Sequence, residues 1–302
     1  MLARALRLSL TLEIALYALL ARYAFDAPPA TAAGVALAGL LALRLALVML
    51  TFACARAWRS PAPRLSPGQA LRMVLGEYAA CLFAFLVVFP FERWWMGAER
   101  PLPGGERPPL LLVHGYSCSR AAWWCLRRRL RAAGWTVATI NLEPVFAGID
   151  DYVEPLARRI DAVLAETGAE RLILVGHSMG GLVARAYLRR FGESRVASLV
   201  TLGTPHQGSR LARLGLGENA RQMRPGSPWL QALGTPALAS VTIYSPHDNF
   251  VMPQDNLRLP GARSHTIDGL GHLAMLHSPR VAALLLAVLA ARPRPAPKRS
   301  PD

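Results

Sequence analysis

The stretch from Arg171 to Gly181 reads RLILVGHSMGG, and its reading decides the fold. Arg171 to Val175 reads as a buried strand, its apolar run covered on both faces. It leads directly into Gly176-His177-Ser178-Met179-Gly180, a match to G-x-S-x-G, and Leu182 to Phe191 beyond it has the pattern of a helix. A strand that turns sharply into a helix around a serine is the context in which this pattern carries chemistry. Gly176 and Gly180 let the backbone pack closely at the turn, which lifts the Ser178 hydroxyl above the sheet. The same turn aims the Met179 N–H and the helix N-terminus at the place where an oxyanion would form.

Working outward, strands and helices alternate. Leu110 to Val113, Thr136 to Leu142, Val196 to Leu202, Val241 to Tyr244 and Ser264 to Ile267 read as strands. Ala121 to Ala133, Ile149 to Thr167 and Pro279 to Ala291 read as helices, the first two ended by Gly134 and Gly168. The alternation predicts an α/β fold, a mostly parallel sheet covered by helices on both faces.

A serine nucleophile needs a base, and the base needs an orienting acid; around such an elbow they follow in the order serine, acid, histidine. His272, in Gly269-Leu270-Gly271-His272, follows the last strand in a glycine-rich loop and is the expected base, with His265 and His277 as alternatives. Asp248, in Ser245-Pro246-His247-Asp248-Asn249, directly follows a strand and is the expected acid, with Asp255 and Asp268 as rivals. The loop after the first strand, His114-Gly115-Tyr116, supplies the second oxyanion donor through the Tyr116 N–H, paired with that of Met179. His114 is expected to orient this loop.

These residues carry a resemblance. Val113-His114-Gly115-Tyr116, the Gly176–Gly181 elbow, Gly203-Thr204-Pro205-His206-Gln207-Gly208-Ser209, and the late Asp248 and His272 resemble the α/β-hydrolase superfamily, and within it the bacterial triacylglycerol lipases and esterases. The resemblance covers residues 108–291. It implies an α/β-hydrolase fold, cleavage of carboxylic esters through an acyl-enzyme, and a lipid or fatty-acyl ester as substrate. It also implies a lid at residues 210–238. Some lipases of this branch hold a structural calcium ion, but no Asp-rich cluster here answers to one. No CxxC pair or histidine cluster indicates a metal site, and no cofactor is expected.

The remaining sequence is of another kind. The chain has 302 residues, 53% of them hydrophobic, a net charge of +15 and a mean hydropathy of +0.26, which excludes a disordered chain. Residues 1–97 contain three apolar stretches, Leu6–Ala21, Thr31–Ala53 and Leu71–Phe91, and are expected to form a helical membrane anchor of about three spans. Residues 98–109 (AERPLPGGERPP) read as a linker, residues 110–291 as the catalytic domain, and residues 292–302 as a disordered tail. Arg4 and Arg7 precede the first stretch, and Arg56, Arg59, Arg64 and Arg72 surround the second loop. The positive-inside rule puts both regions in the cytoplasm, and three crossings then leave the catalytic domain periplasmic. Glu13, Arg44 and Glu77 lie at similar depths, so Arg44 is expected to pair with Glu13, Glu77 or both.

The positive charge invites a nucleic-acid partner, but 33 of the 34 basic residues are Arg and no nucleic-acid motif accompanies them. Arg127-Arg128-Arg129-Arg131 fits anionic lipid head groups or a solvated helix face better. The bilayer and an acyl-ester substrate are the expected partners, and the sequence leaves the oligomeric state open. Cys118 and Cys125 are seven apart, and a periplasmic site would permit a disulfide. A second reading, a membrane scaffold or transport component with a degenerate hydrolase domain, rests on the charges within the apolar stretches.

Overall fold

The computed structural model describes residues 1–98 and 102–291. The expected disordered tail at 292–302 lies outside the described residues, as does part of the expected linker. Six strands, β1 (Leu110–Val113), β2 (Val137–Ile140), β3 (Leu172–His177), β4 (Val196–Leu202), β5 (Ser240–Tyr244) and β6 (Arg263–Thr266), form one parallel sheet in the order β2-β1-β3-β4-β5-β6. The central strands are unbroken apolar runs because both their faces are covered. Every residue of β1 and β3 is buried.

In chain order the helices are α1 (Leu2–Ala24), α2 (Pro29–Ala57), α3 (Pro67–Leu82), α4 (Glu92–Met96), α5 (Trp124–Ala132), α6 (Val153–Thr167), α7 (Met179–Phe191), α8 (Gly217–Gln222), α9 (Pro228–Leu233) and α10 (Pro279–Ala290). One face of the sheet is covered through α6 and α7, with Leu156, Ile160, Leu182 and Val183 fully buried. The other is covered through α5 and α10, with Leu126, Leu130, Val281 and Leu285.

The N-terminal segment departs from the expected arrangement. α3 starts sharply: Pro67 occupies the first turn, and Ser66 and Gln69 bond each other's backbone N–H in a capping box. Beyond Leu82 the helix continues through a π-helical turn, Phe83–Val88. Val88, Phe89 and Met96 then enter the same core as Trp123, Leu126 and Leu285. The compositional boundary at residue 97 therefore falls inside a shared hydrophobic core.

α3 is docked along its length on the α/β region. The turn before it is tied down where the Ser60 N–H donates to Gln254 Oε1 (2.9 Å), the Asp255 N–H to Ser60 Oγ (2.9 Å), and His247 Nε2 to the Pro63 carbonyl (2.9 Å). Midway, Glu77 accepts two backbone N–H groups from residues 273 and 274. At the far end Phe83 packs edge-on to His277 and Glu92 pairs with Arg120 at 2.8 Å. This corrects the expected topology. The loop carrying Arg59 and Arg64, expected in the cytoplasm, touches the same α/β region that was expected in the periplasm. No bilayer fits between two ends of a helix that both pack on one globular unit.

Two helical stretches have the length and apolarity to cross a membrane, Pro29–Ala57 and Pro67–Val88. α1, with Arg4, Arg7, Glu13 and Arg22, falls short of that standard, so the three expected spans are not matched. α1 and α2 form an antiparallel pair joined by a turn at 25–28 and pinned by the Glu13–Arg44 ion pair. That is one of the two expected pairings; Glu77 instead faces the α/β region. The pair is held to the rest of the chain at the end away from its turn, through Met1–Glu143, Arg7 to the Pro90 carbonyl and Asn249 to Thr51, and at the middle of α2 through the Tyr78 hydroxyl to the Leu41 carbonyl. Its outer face is apolar: Leu12, Leu16, Leu19, Leu37 and Leu47 are all at least half exposed.

Arg44→Leu would leave Glu13 without its cation in an apolar setting, where an orphaned charge is costlier than no pair at all. The single variant is therefore expected to lower the thermal midpoint of the detergent-extracted protein more than Arg44→Leu combined with Glu13→Leu. Equal midpoints would show the pair to be idle.

Candidate active site

Ser178 sits between β3 and α7 at φ 54° and ψ −129°, a left-handed conformation that a non-glycine residue adopts only where its surroundings hold it. The neighbouring glycines are a packing requirement. A Cβ on Gly176 would lie 2.5 Å from the Gly181 nitrogen, and one on Gly180 would lie 2.1 Å from the Val113 carbonyl oxygen. These contacts bring the end of β1 and the start of α7 together beneath the serine.

The loop after β1 approaches from the other side. A Cβ on Gly115 would come within 2.7 Å of Ser178 Cβ and 3.3 Å of its Oγ, so only glycine fits this approach. His114 fixes the loop. Its Nε2 accepts the Leu142 N–H at 3.0 Å, which leaves Nδ1–H to donate to the Gly115 carbonyl at 2.9 Å. Burial drives the His114 pKa down to about 4, so the ring stays neutral and keeps that tautomer. The N–H groups of Tyr116 and Met179 have no acceptor among the described residues, and Met179 opens a helix whose first N–H groups have no intrahelical partner. Gly115→Ala is expected to lower turnover at least 10-fold by displacing Ser178, with the thermal midpoint held within a few degrees; wild-type turnover would contradict the close approach.

Asp248 and His272 meet below the loops that follow β5 and β6. Asp248 is fully buried. Its Oδ1 accepts the Phe250 and Val251 N–H groups at 2.7 and 2.9 Å, and its Oδ2 accepts Nδ1–H of His272 at 2.7 Å. That bond leaves His272 Nε2 as the basic nitrogen. Burial pushes the His272 pKa down, but the charge and hydrogen bond of Asp248 outweigh it, with a further contribution from Glu77, and the pKa ends above its ordinary value. Phe250 stacks on the ring at 5.0 Å between centroids, and Gly203 forms a floor that a Cβ would bring within 3.3 Å of the imidazole. No hydrogen bond joins Ser178 Oγ to His272 among the described residues; such contacts commonly close only around substrate.

The alternatives are placed elsewhere. Asp268 is exposed, and Asp255 faces Arg258 at the surface at 3.6 Å. His265 lies on the edge strand β6, and His277 Nδ1 contacts Cys125 Sγ at 3.2 Å. Cys118 and Cys125 are both free thiols, so the disulfide is not formed.

Residues 210–238 contain a short 3₁₀ turn, α8 and α9. They are fastened to the oxyanion loop, where the Tyr116 hydroxyl accepts the Leu216 N–H and donates to the Leu216 carbonyl, both at 2.9 Å. Leu214 and Leu216 stand out into solvent from this segment. Sequence reasoning missed the neighbours of His272. Asn249, next to Asp248, accepts the His272 N–H at 2.9 Å, and Glu77 holds the two residues after it. The adjacency of Asn249 to the acid was the only sequence signal for the first of these.

The geometry agrees with comparisons to known proteins. Residues 108–233 match the family model of the alpha/beta hydrolase fold. A triacylglycerol lipase of Pseudarthrobacter phenanthrenivorans is 36% identical over 114 residues, covering 35% of each chain. One from Burkholderia plantarii is also 36% identical over 114 residues, covering 35% of this chain and 32% of that one. This chain thus spans about a third of the length of the curated relatives it matches. Among solved structures, the mature lipase BlEst2 of Bacillus licheniformis superposes with a TM-score of 0.57 at 20% identity, over 64% of this chain and 96% of that one, a likeness of fold.

Proposed function

From the premise that this chain carries an α/β-hydrolase domain of the lipase and esterase type, we propose that it is a serine hydrolase that cleaves carboxylic esters of lipids or fatty acids at a membrane surface. The observation that carries the reading is the buried Asp248–His272 pair at 2.7 Å, on the same sheet edge as a serine in a strained elbow. In this mechanism Ser178 attacks the acyl carbon while His272 Nε2 takes its proton. Asp248 holds the imidazole tautomer and stabilises the imidazolium. The Tyr116 and Met179 N–H groups receive the oxyanion. His272 returns the proton to the leaving alcohol, and water then releases the acyl group by the same route in reverse.

Labelling with a fluorophosphonate and a panel of p-nitrophenyl esters of rising chain length test the proposal together. The reading expects covalent labelling at Ser178 and turnover that rises with acyl length. An unlabelled, inactive protein would favour a scaffold with a degenerate domain. The pH profile follows from the His272 environment. The base must be neutral to accept a proton, and its pKa is raised, so kcat/KM is expected to fall as pH drops through a midpoint above 6.5. A midpoint well below 6.5 would contradict the charge arrangement around the ring.

The membrane part of the proposal rests on the α1–α2 pair. Its exposed leucines offer an apolar surface of the kind that contacts lipid. We place α1 and α2 as a hairpin crossing the bilayer, with Glu13 and Arg44 neutralising one another inside it. The hairpin's docked end is flanked by Arg4, Arg7, Arg56, Arg59, Arg64 and Arg72, while its turn is flanked only by Arg22 and Asp26. With two crossings and not three, the positive-inside rule puts the catalytic domain on the cytoplasmic side. A thiol-reactive, membrane-impermeant reagent applied to intact cells should reach a cysteine introduced at Ala27 but not one introduced at Arg258. The opposite pattern would reverse the orientation.

A further inference from the structure

The loop that carries His272 has little structure of its own. It reads Gly269-Leu270-Gly271-His272-Leu273 and lies between β6 and a short 3₁₀ turn. Three successive backbone N–H groups in it nevertheless all have side-chain acceptors. The His272 N–H donates to Asn249 Oδ1 at 2.9 Å, the Leu273 N–H to Glu77 Oε1 at 3.0 Å, and the Ala274 N–H to Glu77 Oε2 at 2.8 Å. Asn249 is held in turn, since its Nδ2 donates to Thr51 Oγ1 at 2.7 Å and Thr51 donates to the Val48 carbonyl at 2.7 Å. Glu77 is on α3 and Thr51 on α2, so the backbone on both sides of His272 is clamped from the N-terminal helices.

Glu77 is fully buried. Placing a carboxylate there costs several kcal/mol of desolvation, and a well-packed apolar side chain would dock a helix at least as well. A role in docking alone does not account for the charge. The fit is also specific, because a Cβ on Gly271 would fall 2.4 Å from Glu77 Oε2, so glycine at 271 is what admits the carboxylate. The groups facing the His272 ring complete the arrangement. Asp248 binds Nδ1 and Phe250 stacks on one face; burial pushes the Glu77 pKa up, against the pull of its two backbone N–H bonds and of His272. His177 contacts His272 through a 3.3 Å bond from its Nε2–H to the His272 carbonyl, and burial keeps it neutral.

We propose that Glu77, with Thr51 acting through Asn249, is a positioning residue for His272, making the N-terminal helices part of the catalytic apparatus as well as the anchor. The inference rests on the serine hydrolase reading. Two bonds to the loop fix its path so that Nδ1 meets Asp248.

The test uses the full-length protein in lipid nanodiscs, with active sites counted by fluorophosphonate titration. Glu77→Gln keeps one acceptor, loses the charge, and turns an amide N–H towards the other backbone N–H. Per titrated site, kcat is expected to fall by about 10- to 100-fold, with KM changed less than twofold. Thr51→Val removes only the support of Asn249; kcat should fall about threefold with the acid limb of kcat/KM in place. A Glu77→Gln protein that melts earlier but keeps wild-type kcat per site would overturn the proposal. If Glu77→Gln yields no folded protein, Thr51→Val decides, and wild-type kcat in that variant likewise overturns it. A wild-type protein that neither labels nor hydrolyses would overturn the hydrolase reading itself, an outcome distinct from either of these.

Discussion

Ser178→Ala is expected to lower kcat for short acyl esters by about 10⁴- to 10⁶-fold and to abolish fluorophosphonate labelling, with the fold unchanged. The fold should survive because the elbow is held by its glycines and by β3, not by the hydroxyl. The Ser178 N–H donates to the Leu202 carbonyl at 2.9 Å whatever the side chain. What is lost is the hydroxyl that lies against the Gly115 loop at the start of α7. Residual activity above background would come from the oxyanion donors acting on water, so it should persist at neutral pH without a burst. Retention of more than a tenth of wild-type turnover would remove Ser178 from the mechanism.

Asp248→Asn is expected to lower kcat by about 10⁴-fold. The substitution keeps the shape of the site, since the amide oxygen can still accept from Phe250 and Val251. Its NH₂ group then faces His272 Nδ1 and donates to it, which leaves the proton on Nε2 and the ring unable to act as a base. Loss of the buried negative charge should also move the acid limb of the residual activity to lower pH. Near-normal melting with this loss of rate would separate the chemical role of Asp248 from a structural one. Activity within 10-fold of wild type would shift the acid's role to another carboxylate, and Glu77 is the nearest other carboxylate in electrostatic contact with the ring.

The parts of this molecule that were legible from sequence are those whose causes are local. The elbow announces itself because its strand, glycines, serine and helix all fall within twenty residues. The strand Val196–Leu202 is read to the residue because its apolar run has clear ends. Chain order after strands pointed to Asp248 and His272, and the structure brings the two within hydrogen-bond distance. Glu77 was visible as a charge in an apolar stretch, but its partners are 196 and 197 residues away, and nothing in the spacing names them. The three-span expectation is not matched for a related reason. Length and hydropathy measure how well a helix avoids water, and a protein core satisfies that as fully as lipid does. α3 passes the test, yet its apolar side chains lie partly against Leu273, Ala274 and the core beneath α5. On the two-crossing reading proposed above, the side assigned to everything that follows is inverted.

The shared core around Val88, Phe89 and Met96 bears on what a cut between the helices and the sheet would do. Here a cut near residue 98 followed by loss of the helices would strip side chains from beneath the sheet and take away the acceptors of the His272 loop. On the hydrolase reading proposed above, proteolysis at that point would end activity and not release an active domain.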